Sequence, residues 1–378
     1  MTWSGVLDRE RAEAPRLLAE LVEHTPEQRE ILLRNSRRFH TWGLFELLTE
    51  KSLMVSLENS RRGEDQGLLA LRVADFLDAT GCYGAGGLAD LKARAWAHVG
   101  NARRIQSDLR GAEQAFHRAW ECYEKGSGDL FEKAILLDLQ GSLRRAQRRF
   151  DEALTGLRKA VSLFLDMGER HRAGRSLLNM ATVYQNSGRP ERGLPLLREA
   201  LELIDPQQEP RLLLVARHNL IDCLTGLGYY IEAQRADREA RPLYERFPDV
   251  RMQNRRKWLK GRIAYGLGQA GQAESLFAAA QEGFLAEGIP YETALVALDL
   301  ALLYAGQGRT EELKRVASEI VPVFASRHIH REALAALAFF QRAVEAERAG
   351  VETVTRVAEY LRKARHSPEL QFSEAAGR

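Results

Sequence analysis

The sequence predicts an all-α chain built from stacked helical hairpins. Three observations carry this. Apolar residues on both sides of a glycine turn recur at helical spacing. That two-helix pattern then returns at a fixed period of about forty positions. Within each copy, small residues recur where two helix backbones would have to approach closely.

The clearest copy is Arg172 to Ala200. Leu177, Met180, Ala181 and Tyr184 fall at i, i+3, i+4 and i+7, one apolar face of a helix. Gly188 supplies the turn, and Pro190 stands where a first helical residue tolerates proline. Gly193, Leu197 and Ala200 form the apolar stripe of the second helix. Such a hairpin has more apolar face than it can bury alone, so it needs neighbours of its own kind.

The chain supplies them. With Gly193 as marker, the matching residues are Ala112, Ala153, Ala233, Ala273 and Leu313, evenly spaced to within one position. The turn glycine recurs at Gly228, Gly268 and Gly308. In the first helix of each pair, helix A, a small residue recurs at Gly100, Gly141, Ala181, Gly261 and Ala301, with Ile221 as the misfit. The second helix, helix B, repeats alanine at Ala119, Ala160, Ala200, Ala240 and Ala280.

Helix A reads Trp96, Val99, Gly100 in the first copy and Leu177, Met180, Ala181, Tyr184 in the third; helix B reads Ala112, Phe116, Ala119 and Ala273, Phe277, Ala280. This pattern resembles the tetratricopeptide repeat. The unit is longer than the usual one of that family, and in this it is similar to the repeats of kinesin light chain and of bacterial peptide-sensing regulators. The resemblance covers roughly residues 93 to 333. It implies a right-handed superhelical solenoid of tetratricopeptide-like hairpins with helical N- and C-terminal caps. Departures exist: Arg103 and Arg144 occupy the helix A aromatic position, and Asp237 the helix B one. Arg103 and Arg144 are expected to lay their stems along the core edge and pair their heads with acids.

In chain order, residues 1–90 read as an N-terminal helical cap, with a degenerate leading repeat over Trp42–Leu57 and Gly67–Ala79. Residues 5–22 are helical, with a break expected at Pro15, and Thr25-Pro26-Glu27-Gln28 opens a second helix with a threonine cap. The glycine-rich Gly81–Gly87 reads as a flexible connection, since the Lys-Ser/Thr of a phosphate loop is absent. Six repeats fill 91–330, capping helices fill 331–365, and 366–378 is a polar tail.

Charged residues make up 28% and the net charge is +3, which gives no global pull toward nucleic acid or membrane. No apolar run reaches the roughly 18 residues of a spanning helix, and the N-terminus lacks a signal sequence. Cys82, Cys122 and Cys223 are scattered, with Cys122 and Cys223 at small core positions; a reducing cytoplasm is expected. Gly266-Leu-Gly268-Gln-Ala-Gly271 matches a dinucleotide fingerprint but lies on a helix turn in register with Gly226-Leu-Gly228. His328-Ile-His330 sits at a helix junction and reads as solvated loop. No catalytic, metal or cofactor constellation is found, so a non-enzymatic binding module is expected.

The resemblance implies that helices A line a concave groove. Carried over position by position, it places Asn101, Arg104, Arg145, Asn179, Gln185, Asn219, Arg255, Trp258, Arg262 and Tyr265 toward a ligand. Asn179 and Asn219 stand at the same place on consecutive repeats, as a ladder whose amides can donate to and accept from a peptide backbone. Arg104 and Arg145, and the Arg255, Trp258, Arg262 face, suit carboxylate or phosphate groups beside an apolar one. The expected partner is a protein or extended peptide, in a bacterial regulatory or scaffold protein. The alternatives are a helical repeat contacting nucleic acid and the ligand-sensing part of a transcription regulator, although no helix-turn-helix is identifiable in the first 90 residues.

Overall fold

In the computed structural model the chain is described over residues 3–56, 59–77, 84–325, 331–347, 349–364 and 370–373. These residues form eighteen α-helices and one short 3-10 turn, with no strand. They divide into two bodies, residues 1–183 and 184–378.

The N-terminal body contains α1 (Trp3–Val22), α2 (Pro26–Asn35), α3 (Trp42–Ser56), α4 (Ser60–Phe76), α5 (Gly84–Ile105), α6 (Leu109–Glu124), α7 (Leu130–Ala146), α8 (Phe150–Asp166) and most of α9 (Arg170–Asn186). Helix α1 runs unbroken through Pro15. Ala14, Leu17, Leu18 and Leu21 are buried on its inner face, and that burial outweighs the local cost of the proline. Thr25 caps α2 with a complete capping box through Gln28. Leu44, Phe45 and Leu48 of α3 meet Leu69, Ala70 and Val73 of α4 in one apolar cluster.

The glycine-rich connection is shorter than its sequence suggests. Residues 84–87 are already the first turn of α5, while 81–83, including Cys82, lie outside the described residues. A Cβ on Gly86 would stand 3.2 Å from the Ser127 backbone nitrogen, so glycine lets this turn approach the α6–α7 connection.

The C-terminal body contains α10 (Pro190–Leu203), α11 (Pro210–Gly226), α12 (Tyr230–Arg246), α13 (Val250–Gly266), α14 (Ala270–Ala286), α15 (Pro290–Gly306), α16 (Thr310–Ala325), α17 (Arg331–Glu345) and α18 (Val351–Ala364). Its core joins Phe277, Phe284, Leu298, Leu337, Phe340 and Leu361, all buried. Phe372 packs at a tilt against Phe339 and edge-on against Tyr360, and the Tyr360 hydroxyl donates to the Leu370 carbonyl at 2.8 Å, so this part of the tail is packed. His328 and His330 fall outside the described residues.

The repeat columns have a direct physical meaning. Ala112, Ala153, Ala233 and Ala273 are fully buried, and Gly193 and Leu313 are buried with them. In helix A, a Cβ on Gly100 would stand 2.8 Å from Phe116, one on Gly141 2.6 Å from Leu157, and one on Gly261 2.6 Å from Phe277. The small column therefore makes room for the large column of the helix that follows. Where helix A carries Ile221, the same register brings Asp237, a smaller residue whose carboxylate receives Arg256 at 2.7 Å. The turn glycines Gly228, Gly268 and Gly308 have φ of 81°, 75° and 68°.

Candidate functional site

Helix A alternates two duties. One face carries the apolar columns into the hairpin. The other carries polar residues, some buried and some half-buried, several of them bonded from repeat to repeat.

In the N-terminal body these bonds begin at Arg94 in α5, whose Nε donates to Glu132 Oε2 of α7 at 2.8 Å. Glu132 and its partner are both almost wholly buried. Burial works against the Arg94 charge, but Glu132 holds it above the ordinary arginine value. The pair stands beside Phe131, whose ring lies 5.6 Å from the Arg94 guanidinium and 4.9 Å from that of Arg172. His98 is buried one turn on; burial, then the charges of Arg94, Arg172 and Arg175, push its pKa down to about 3. Arg94, His98, Phe131, Glu132 and Arg172, with Trp42, line a cavity of about 650 Å3.

Further along the same face, Arg104 donates from Nε and Nη2 to Asn101 Oδ1 at 3.1 and 2.9 Å. Asn101 is buried, so it orients Arg104 from within. Arg145, its counterpart on α7, is half-buried, and its Nε is enclosed without an acceptor. Burial, and then the Arg145 charge, push Arg104 down to about 10. Asn179 donates to Asp138 Oδ1 at 3.1 Å, beside the Ser176 hydroxyl at 2.7 Å. One donor of this amide is thus used within the fold.

Arg103 and Arg144 do what their positions demand. Arg103 Nε meets Glu64 at 2.7 Å and Arg144 Nη1 meets Glu113 at 2.5 Å, both half-buried.

In the C-terminal body, Gln185 donates to the Asn219 backbone carbonyl at 3.4 Å, and both residues are half-buried. Arg255 reaches Glu292 at 3.5 Å, and Arg262 reaches Asp222 at 3.1 Å. Trp258 donates its indole N–H to Asp299 at 2.7 Å, and Arg362 of α18 takes the other carboxylate oxygen at 2.8 Å. Tyr265 is exposed. Leu259, Leu295 and Leu298, on the same two helices A, are buried in the core.

Nothing in the sequence marks Glu132, Trp42 or Phe131 as site residues. The available signal is weak: an acid 38 residues after an arginine, slightly less than one repeat length. Asp299 follows Trp258 by 41 residues in the same manner.

Solved structures with the same arrangement of helices exist. A Rap protein complexed with competence and sporulation factor superposes with a TM-score of 0.62 at 12% identity, over 85% of this chain and 87% of that one. Aspartyl phosphate phosphatase F from Bacillus subtilis gives 0.55 at 13%, over 80% and 76%. The apo form of the quorum sensor NprR from B. thuringiensis gives 0.50 at 14%, over 95% and 98%. The fold is tetratricopeptide-like. At these identities the likeness concerns the path of the chain and not its site residues. No family model and no curated protein matches the sequence.

No described helix is long and apolar enough to cross a membrane. Among the described residues no group of three or more His, Cys, Asp or Glu could hold a metal ion.

Proposed function

We propose that the chain is a non-enzymatic binding module that takes up an extended peptide or protein segment on the polar face of its A helices, in a bacterial regulatory or scaffold role. The carrying observation is the division of labour on helix A. Its apolar columns are consumed by hairpin packing, while each body keeps its own half-exposed set of donors, Arg104, Arg145 and Asn179 in the first and Gln185, Asn219 and Arg262 in the second. Packing alone does not call for either set. Two of the similar structures are a Rap protein complexed with competence and sporulation factor and a quorum sensor, which supports a ligand of signalling type.

The test is affinity selection of the full chain against a random peptide library, followed by titration of the enriched peptides. Asn219→Ala and Gln185→Ala should each weaken binding about two- to tenfold, since a net hydrogen bond contributes roughly 0.5–1.5 kcal/mol. Asn219→Ala should leave the melting temperature in place. Failure to enrich any peptide, or affinities indifferent to both substitutions, would sink the proposal. A steep salt slope shared by all oligonucleotides would favour nucleic acid instead.

A further inference from the structure

Two adjacent arginine pairs sit one repeat apart, Arg103-Arg104 at the end of α5 and Arg144-Arg145 at the end of α7. The first member of each pair is bound to an acid, Glu64 and Glu113 respectively. The second member is not. Among the described residues no carboxylate pairs with Arg104 or Arg145. Arg104 has only the neutral amide oxygen of buried Asn101, which fixes the guanidinium plane without compensating its charge. Arg145 has a buried Nε with no acceptor. Helices α5 and α7 pack directly on one another.

Buried charge is expensive unless an opposite charge meets it. Two like charges one repeat apart on helices that pack together, each half-buried and each without an acid, cost more still. A fold that needed only arginine stems here could have taken Glu64-type partners, as Arg103 and Arg144 do. The uncompensated pair is the arrangement of a site whose counter-charge arrives with a ligand.

We propose that Arg104 and Arg145 form a clamp for one oxyanion, a carboxylate or phosphate group carried by the ligand. Guanidinium forks fit either group through paired N–H donors. Asn101 acts as a positioning residue, holding the Arg104 fork in place. The assignment rests on the binding-module reading above, to which it adds the charge of the group recognised at the first two repeats.

The full chain, with labelled arginine side chains, is titrated with inorganic phosphate and separately with acetate, at ionic strength matched by chloride. The clamp requires saturable shifts of the Arg104 and Arg145 Nε–H resonances and a melting temperature that rises with the anion. Arg104→Gln and Arg145→Gln should each lose at least tenfold in anion affinity and melt no lower than wild type, because each removes an uncompensated cation. Arg103→Gln should keep the anion affinity and melt lower. Should Arg145→Gln fail to fold, Arg145→Lys keeps the charge and loses the fork, and should still bind the anion more weakly. Phosphate held tenfold tighter than acetate indicates a phosphorylated ligand; equal or better acetate binding indicates a peptide carboxylate. No saturable response to either anion, or equal responses in wild type and both glutamine variants, overturns the clamp. Lower melting in both variants with unchanged anion binding does the same. The two readings fail separately: a wild-type chain that ignores both anions yet binds the selected peptides would end the clamp and leave the module standing.

Discussion

Ser107 and Arg148 hold the same left-handed backbone conformation on consecutive repeats, with φ of 66° and 61°. They occupy the helix A to helix B turn, where later repeats have Gly228, Gly268 and Gly308. A side chain in this region costs about 1–2 kcal/mol, and glycine returns part of that as unfolded-state entropy. Ser107→Gly should therefore stabilise the protein by about 0.5–1 kcal/mol. Arg148→Gly should gain less, because the Arg148 guanidinium also lies 5.2 Å from the Phe150 ring. Denaturant titration measures both, and a loss of stability in Ser107→Gly would contradict the assignment.

Gly261 and Gly271 give a matched comparison. A Cβ on Gly261 would stand 2.6 Å from Phe277, whereas one on Gly271 meets nothing within 4 Å. Gly261→Ala should cost about 1–3 kcal/mol through overpacking. Gly271→Ala should be neutral or mildly stabilising on helix propensity. Adding Phe277→Leu to Gly261→Ala should recover part of the loss, and thermal unfolding of the three variants reads the cycle.

Asp299 is buried between Trp258 and Arg362. Replacing Arg362 with methionine leaves the carboxylate with the indole N–H alone. Arg362 is partly exposed, so the cost should be about 1–2 kcal/mol, below that of breaking a fully buried pair. Asp299→Asn in the same background should restore some stability, because it removes the stranded charge. Denaturant midpoints check both steps.

His98 and His218 are buried, and burial holds their pKa values at about 3 and about 4, below the ordinary 6.5. The unfolded chain takes up protons at both sites as pH falls through 6.5, while the folded chain does not. The stability tied to their neutral forms is thus complete above 6.5 and is lost as pH falls toward 4. Each should steepen the dependence by up to about 1.4 kcal/mol per pH unit in that window. His98→Gln should flatten the slope between about pH 6 and 4, and an unchanged slope would show that His98 already titrates in the fold.

The hairpin register was readable because one column of residues has one job. Gly100, Gly141 and Gly261 stand where a partner ring or leucine leaves no space, and that constraint shows as residue type. Ser107 and Arg148 hid a different constraint, the left-handed turn that Gly228, Gly268 and Gly308 mark by residue type, since nothing in serine or arginine announces a positive φ. Pro15 pointed to a break that core burial of its helix overrides. At the site, the arginine partners of Glu64 and Glu113 were foreseeable from a missing aromatic. The cross-repeat bonds were not. Arg255 finds its acid 37 residues on and Trp258 finds its own 41 residues on. Such offsets depend on rotamer and on the stagger between stacked helices, neither of which leaves a periodic trace.

Those cross-repeat bonds carry a consequence for how the array can change over time. Arg94 needs Glu132, Asp138 needs Ser176, Arg262 needs Asp222 and Trp258 needs Asp299, each acting on an adjacent A helix within its own body. The apolar columns are interchangeable from copy to copy, but these mates are not. Duplicating or transposing one repeat would preserve every column while setting arginine against arginine and stranding a buried acid. The hairpins are therefore alike in shape and addressed by charge, so that each has one permitted neighbour. An array free to grow by copying its units has in this way become a chain of fixed order.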